Sequence, residues 1–152
     1  MVSDLRFWFL AYPDEEMPGM WNGRIPEIGG SSEGYCTYSD SLENLLKRAV
    51  ELADLWIIYC WELNQEPTQG PVEGLDCLYQ VSPSLKVQVA WMMRQLRIQR
   101  GLTQAEAATA AGMTQTAYAR LENPKKSNAT VATLDRIGKA LGQLIRVEAL
   151  AV

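Results

Sequence analysis

Two helix-start signals separated by a glycine constrain this 152-residue chain more than any other feature of its sequence. Thr103 stands three residues before Glu106, the spacing of a capping box in which each side chain bonds the backbone amide of the other residue. Gly112 is suited to the left-handed conformation that ends a helix, and Thr114 can cap the next helix. The pattern predicts two short helices joined by a tight turn.

Apolar residues at helical spacing predict one further helix on each side of this pair. The preceding helix should run from Ser84 to about Arg100, and the following helix from about Thr130 to Gly142. We expect the first to bury Leu85, Val89, Met92, Met93 and Leu96, and the second to bury Val131, Leu134, Ile137, Gly138 and Leu141. The remaining segment, 143–152, is β-prone and could pair with its own copy in a dimer.

The N-terminal half predicts a small sheet covered by one helix. The cap at Asp40-Ser41, with Glu43 in the first turn, opens a helix whose apolar stripe includes Leu45, Trp56 and Cys60. Trp8 and Trp21 are expected in the core together with Trp56. Alternating and aromatic segments predict four strands, at residues 5–12, which should be central, and at 20–25, 35–39 and 77–81.

These elements predict two domains. Residues 1–82 form an α+β domain, and residues 83–152 form an all-α domain that contains the two capped helices. Ser82-Pro83-Ser84 is the expected hinge between them, since proline is tolerated in the first turn of a helix.

Charge is divided unevenly between the two predicted domains. Residues 1–82 carry 4 Lys/Arg against 14 Asp/Glu, whereas residues 83–152 carry 10 against 4. A basic domain can neutralise phosphate, while an acidic domain should be repelled by nucleic acid and attract a basic partner. The charge pattern therefore predicts two different kinds of partner.

The sequence also excludes several classes of protein. It contains no histidine, so Ser-His-Asp and Cys-His catalysis are impossible. Cys36, Cys60 and Cys77 have neither zinc-ribbon nor disulfide spacing and are expected to be buried thiols. The longest apolar run, 55–61, is far shorter than the roughly 20 residues of a membrane span, and no signal peptide is evident. We expect a soluble cytoplasmic protein that is not an enzyme and takes neither cofactor nor metal.

Three short sequences carry a resemblance to a known class. Residues 97–106 (RIQRGLTQAE), 111–115 (AGMTQ) and 119–123 (ARLEN) resemble the phage-repressor type of helix-turn-helix, the XRE class. The resemblance implies that the helix beginning near Gln115 enters the major groove of DNA. It further implies that Gln104 contacts a phosphate and that Arg97 pairs with Glu122 inside the domain.

The residue types on this helix fit such a role. Arg and Gln side chains read guanine and adenine through paired hydrogen bonds, and lysines after the helix can touch phosphates. The alternative is a solvated helix face at Gln115 and Thr116 and an ordinary surface loop at the two lysines. The predicted DNA-binding residues are Gln104, Thr114, Gln115, Thr116, Arg120, Lys125, Lys126 and Asn128. Ala107 and Ala108 are smaller than the class usually carries, and Trp91, Met92 or Met93 could fill the space.

The N-terminal half resembles a second family. Residues 25–28 (IPEI) and 36–45 (CTYSDSLENL) are similar to the N-terminal domain of HicB-type antitoxins. This resemblance implies a partial ribonuclease H-like fold that neutralises HicA, a small basic ribonuclease toxin that cleaves mRNA. It also implies that the C-terminal domain represses the promoter of its own operon. Helix-turn-helix docking geometry predicts a homodimer, or a higher oligomer, on an inverted-repeat operator, and no membrane partner is expected. The segments 14–19 and 29–34 depart from the family pattern, so toxin-contacting residues are not assigned.

Two alternatives remain open. The chain could be a stand-alone regulator whose N-terminal domain senses a small molecule. It could also be a metal-dependent nuclease that uses carboxylates such as Asp14, Glu15, Glu16, Asp40 and Glu43. A solvated acidic face and a helix cap explain the same carboxylates without catalysis.

Overall fold

The computed structural model describes residues 5–28, 35–72 and 74–148. The chain divides into two compact units between Gln88 and Val89. We refer to them as the N-terminal unit and the C-terminal unit, and each has its own core.

The N-terminal unit contains a four-stranded antiparallel sheet. Its strands are β1 (Phe7–Pro13), β2 (Trp21–Ile25), β3 (Tyr35–Ser39) and β4 (Leu78–Val81). The spatial order is β3-β2-β1-β4, with Ala11 opposite Gly23 and Phe9 opposite Tyr79. The small sheet and the central position of β1 are therefore confirmed.

One long helix, α1 (Leu42–Glu62), packs across all four strands. It begins where the sequence predicts, since the Ser41 hydroxyl accepts a hydrogen bond from the Asn44 amide at 3.2 Å. Phe7, Phe9 and Ala11 alternate along β1 and are buried, as a strand with one covered face requires. The buried residues of α1 are Leu45, Ala49, Leu52, Ala53, Trp56, Ile57 and Cys60.

The side-chain amide of Gln69 forms hydrogen bonds with β1 where β1 extends beyond the end of β2. It accepts from the Trp8 amide at 2.8 Å and donates to the carbonyls of Trp8 and Pro26, both at 2.9 Å. A side-chain amide carries one acceptor and two donors, so it can replace a missing peptide group of a neighbouring strand. The loop after α1 is thereby fixed to the sheet.

Two expectations for this unit were wrong. Trp8 is exposed because it alternates with Phe7 and Phe9 and so lies on the sheet face away from α1, and Trp21 is only half-buried. Only Trp56 is in the core. Among the thiols, Cys60 is buried, but Cys36 and Cys77 are exposed.

The C-terminal unit is all-helical. The helices are α2 (Leu85–Gln99), which begins in the N-terminal unit, α3 (Gln104–Ala110), α4 (Gln115–Glu122) and α5 (Val131–Ala140). Met93 is buried in the core beside Ala107 and Ala108, and Met92 packs against this cluster. The other buried members are Leu96, Ala111, Tyr118, Leu121, Leu134, Ile137 and Leu141.

Leu85 and Val131 are exposed, contrary to expectation. Each is the first residue of its helix, before the helix meets apolar neighbours. Residues 143–148 form no strand in the single chain, and residues 149–152 lie outside the described part. Within the described residues, no helix is long and apolar enough to cross a membrane.

Candidate nucleic-acid interface

The start of α3 is fixed by the expected capping box. The Thr103 hydroxyl accepts from the Glu106 amide at 3.2 Å, and a Glu106 carboxylate oxygen accepts from the Thr103 amide at 2.8 Å. The backbone hydrogen bond from Thr103 is the main cause that lowers the pKa of Glu106. Both helix-start donors are thus satisfied in a helix of only seven residues.

A tight turn joins α3 to α4. Gly112 has a φ of 62°, the left-handed conformation predicted for it. The Met113 amide bonds the Ala108 carbonyl at 3.0 Å, so the end of α3 is also satisfied. Thr114 then caps α4, accepting from the Ala117 amide at 3.2 Å. The two signals and the glycine give the helix-turn-helix that the sequence predicts.

A buried ion pair joins α2 to the end of α4. Arg97 of α2 donates from Nε to Glu122 Oε1 at 2.6 Å and from Nη2 to Oε2 at 3.0 Å. Its Nη1 donates to the Leu102 carbonyl at 2.8 Å. The Glu122 side chain is 1% exposed and that of Arg97 15%. Hydrogen bonding to Glu122 raises the pKa of Arg97, and the paired hydrogen bonds tie α2 to the end of α4.

Gln104 joins the same network. Its Nε2 donates to Glu122 Oε2 at 2.9 Å. A primary amide has two N–H groups and a carbonyl oxygen, so this bond orients the side chain and leaves further polar atoms for another partner. The pairing of Gln104 with Glu122 was not predicted, because the resemblance assigned Gln104 to a phosphate rather than to Glu122.

The outward face of α4 is polar. Gln115, Thr116 and Arg120 are exposed, and Ala119 between them is half-buried. Tyr118 and Leu121 point inward and are buried, as predicted. A surface cleft runs along this face, lined by Thr116, Ala119, Arg120, Asn123 and Lys126.

The loop after α4 is built on Asn123. Its side-chain oxygen accepts from the Lys125 amide at 2.9 Å, while its carbonyl accepts from the amides of Lys126 at 2.9 Å and Ser127 at 2.8 Å. Pro124 and Ser127 are buried, whereas Lys125, Lys126 and Asn128 are exposed. Sequence reasoning treated Asn123 only as part of a basic loop, although an Asn-Pro pair is itself a turn signal.

Two of the carboxylates considered as metal ligands, Asp14 and Asp40, form local hydrogen bonds. Asp14 accepts from Asn22 at 2.7 Å and from the amides of Glu16 and Met17 at 2.8 Å, which lowers its pKa. Asp40 accepts from Asn44 at 3.0 Å at the start of α1. No group of three potential metal ligands occurs among the described residues. The structure therefore brings neither carboxylate into such a group within that part of the chain.

Comparison with known proteins identifies the C-terminal part. Residues 93–144 match the family model described as helix-turn-helix, a span that runs from α2 through α5. No curated protein matches the chain. Together with the capped helices and the polar face of α4, the family match supports a DNA-binding transcriptional regulator whose C-terminal part is an XRE-type helix-turn-helix domain.

Proposed function

We propose that this protein is a HicB-type antitoxin that represses its own operon in the cytoplasm. In this proposal the N-terminal unit has the partial ribonuclease H-like fold of that family and neutralises a HicA-like ribonuclease, with no catalytic role and no cofactor. The C-terminal unit binds operator DNA. One observation carries the proposal: the exposed polar face of α4 lies in a basic half of the chain that is joined to a strongly acidic half.

The face of α4 fits the major groove. Arg120 can bond guanine O6 and N7, Gln115 can bond adenine, and the Thr116 methyl and hydroxyl can meet base edges. Each good paired contact discriminates by about 1–3 kcal/mol. Gln104 and Thr114 lie at the starts of α3 and α4, where side-chain and backbone donors suit phosphate oxygens.

Measurements of operator binding can distinguish residues that read bases from residues that contact phosphates. Arg120→Ala should weaken operator binding and relax one base position. Lys125→Ala should instead lower affinity similarly on every sequence and make the salt slope shallower by about one unit. Binding curves for operator and random DNA at several salt concentrations measure both effects. If both substitutions weaken operator and random DNA equally, α4 does not read bases.

An inverted-repeat operator requires a dimer with recognition helices about 34 Å apart. The segment 143–148 offers a pairing surface, because no backbone hydrogen bond joins residues 144–148 to other described backbone. Arg146 and Glu148 lie 3.7 Å apart on one side of the segment. Antiparallel pairing of two copies centred on Val147 sets each Arg146 opposite Glu148 of the second copy, whereas centring on Arg146 or Glu148 opposes like charges.

Charge exchange tests this dimer. Arg146→Glu or Glu148→Arg alone should weaken self-association, because each makes every cross-strand pair like-charged. An equimolar mixture of the two variants should associate again, since every pair then joins opposite charges. Sedimentation of the full chain measures the association. Unchanged association of both single variants would place the dimer contact elsewhere.

The antitoxin role is tested by co-expression. The experiment takes the adjacent reading frame that encodes a small basic protein with a histidine and expresses it with and without this chain. The proposal expects growth arrest by the neighbour alone, rescue by co-expression, and a stable complex. A neighbour that is harmless alone, or one that stays toxic without detectable complex formation, would leave a regulator without an antitoxin role.

A further inference from the structure

The solvent side of α1 carries an apolar patch where an isolated surface helix would be polar. Leu55, Tyr59 and Leu63 recur every four residues, so they share one face, and they are 53%, 43% and 48% exposed. Leu63 is the C-cap of the helix. We call these three residues the α1 outer patch. Contiguous exposed apolar residues of this size mark interaction surfaces more often than scattered ones do.

The opposite side of α1 already has its function in the fold. Leu45, Trp56 and Cys60 face the sheet and are buried. Of the outer patch, Tyr59 also stacks on Trp56, with ring centroids 5.8 Å apart, so one side of its ring contributes to this packing while the rest is exposed. Asp54, next to Leu55 in the chain, has a structural role, because its Oδ1 accepts a hydrogen bond from the Ser84 amide at 2.7 Å.

The chain segment that carries the patch is acidic. Glu51, Glu62 and Glu66 are exposed and lie before, within and after the three apolar residues. The sequence has no Lys or Arg from residue 49 to residue 85, while it has six Asp/Glu there. The last turn of α1 contains no basic residue, so the negative end of the helix dipole adds to the same field.

We infer that the α1 outer patch is the docking surface for the basic toxin, with a toxin face that presents apolar side chains ringed by Lys or Arg. This inference rests on the proposed antitoxin function and names its surface. The apolar centre supplies the contact that excludes water, and the acidic rim steers and orients a cationic partner. An acidic patch without the apolar centre would attract many cations but would not select one protein.

Substitutions at exposed positions test the surface in the full chain. Leu55→Lys places a cation in the apolar centre, and Glu51→Lys reverses one rim charge. Each should weaken binding to the purified, catalytically inactivated basic protein from the adjacent reading frame by roughly tenfold or more. Two matched controls should bind as the unaltered chain does: Ile98→Lys, at an exposed apolar residue of a helix in the other unit, and Glu15→Lys, at an exposed acid of the β1–β2 loop.

The outcomes separate the two claims. Far-ultraviolet circular dichroism and melting curves confirm that each variant is folded, and calorimetric titration gives the affinities. If the unaltered chain does not bind the basic protein from the adjacent reading frame, the antitoxin function and this inference both fail. If it binds and Leu55→Lys binds equally well, only the inference fails. Equal losses for Glu15→Lys and Glu51→Lys would show bulk charge rather than a patch, and would also overturn it.

Discussion

Removing Arg97 should cost the C-terminal unit a large part of its stability. Arg97→Ala deletes two hydrogen bonds to Glu122 and one to the Leu102 carbonyl, and it leaves a carboxylate that is 1% exposed and keeps its hydrogen bond from Gln104. Breaking a buried pair in this way costs about 3–5 kcal/mol. A unit of about 60 residues has only roughly 3–9 kcal/mol in total, so the variant should be close to unfolding.

Hydrogen exchange resolves this loss within the full chain. Mass spectrometry of peptides covering α3 and α4 gives the free energy of opening for this unit alone. The control is Asp135→Ala, which breaks an exposed ion pair with Lys139 in the same unit and should cost about 0.3–0.5 kcal/mol. Replacing both buried partners, Arg97→Met with Glu122→Leu, should recover most of the loss, because no unpaired charge remains. Equal costs for Arg97→Ala and Asp135→Ala would refute the reasoning.

Three further predictions concern single side chains. Gly23→Ala should destabilise the N-terminal unit by about 1–3 kcal/mol in urea unfolding, because the new methyl group would overlap the Phe9 ring and lie 3.1 Å from Leu45. Burial raises the pKa of the Cys60 thiol from its ordinary value of 9 to about 11; alkylation followed by mass spectrometry should therefore modify the exposed thiols well before Cys60, and stability should fall as pH rises from 9 towards 11. Tyr118→Phe should be neutral or stabilising by up to about 1 kcal/mol in thermal unfolding, because the buried hydroxyl has no hydrogen-bond partner among the described residues.

The helix-turn-helix could be predicted because its signals are local. The capping box at Thr103 and Glu106 joins residues three positions apart, and Gly112 needs only its own backbone freedom. The central strand β1 could also be predicted, because residues 5–12 are rich in aromatic residues and apolar on both faces, and in the structure β1 has a strand on each side. A signal formed by a few neighbouring residues can be interpreted from the sequence alone, because it does not depend on contacts with distant residues.

The side-chain partners that the sequence did not show are those formed over long distances in the chain. Gln69 completes the sheet beside Trp8, 61 residues away, and no local pattern distinguishes it from a loop glutamine. Trp8 was expected in the core because tryptophan is highly buried on average, yet the alternation of β1 sets it on the sheet face away from α1. Which face of a sheet is covered depends on where α1 packs, which alternation alone does not decide.

The face of α4 that we propose reads DNA is held by contacts beneath α4 more than by the stability of the helix itself. With seven and eight residues, α3 and α4 are far too short to be stable alone, since isolated helices need about 12–15 residues. Caps fix where each begins, but the direction of α4 is set by Tyr118 and Leu121 in the core and by Glu122 in the ion pair. Glu122 is buried and should not contact DNA itself. A substitution at Glu122 should nevertheless alter operator binding, because it changes where Arg120 points.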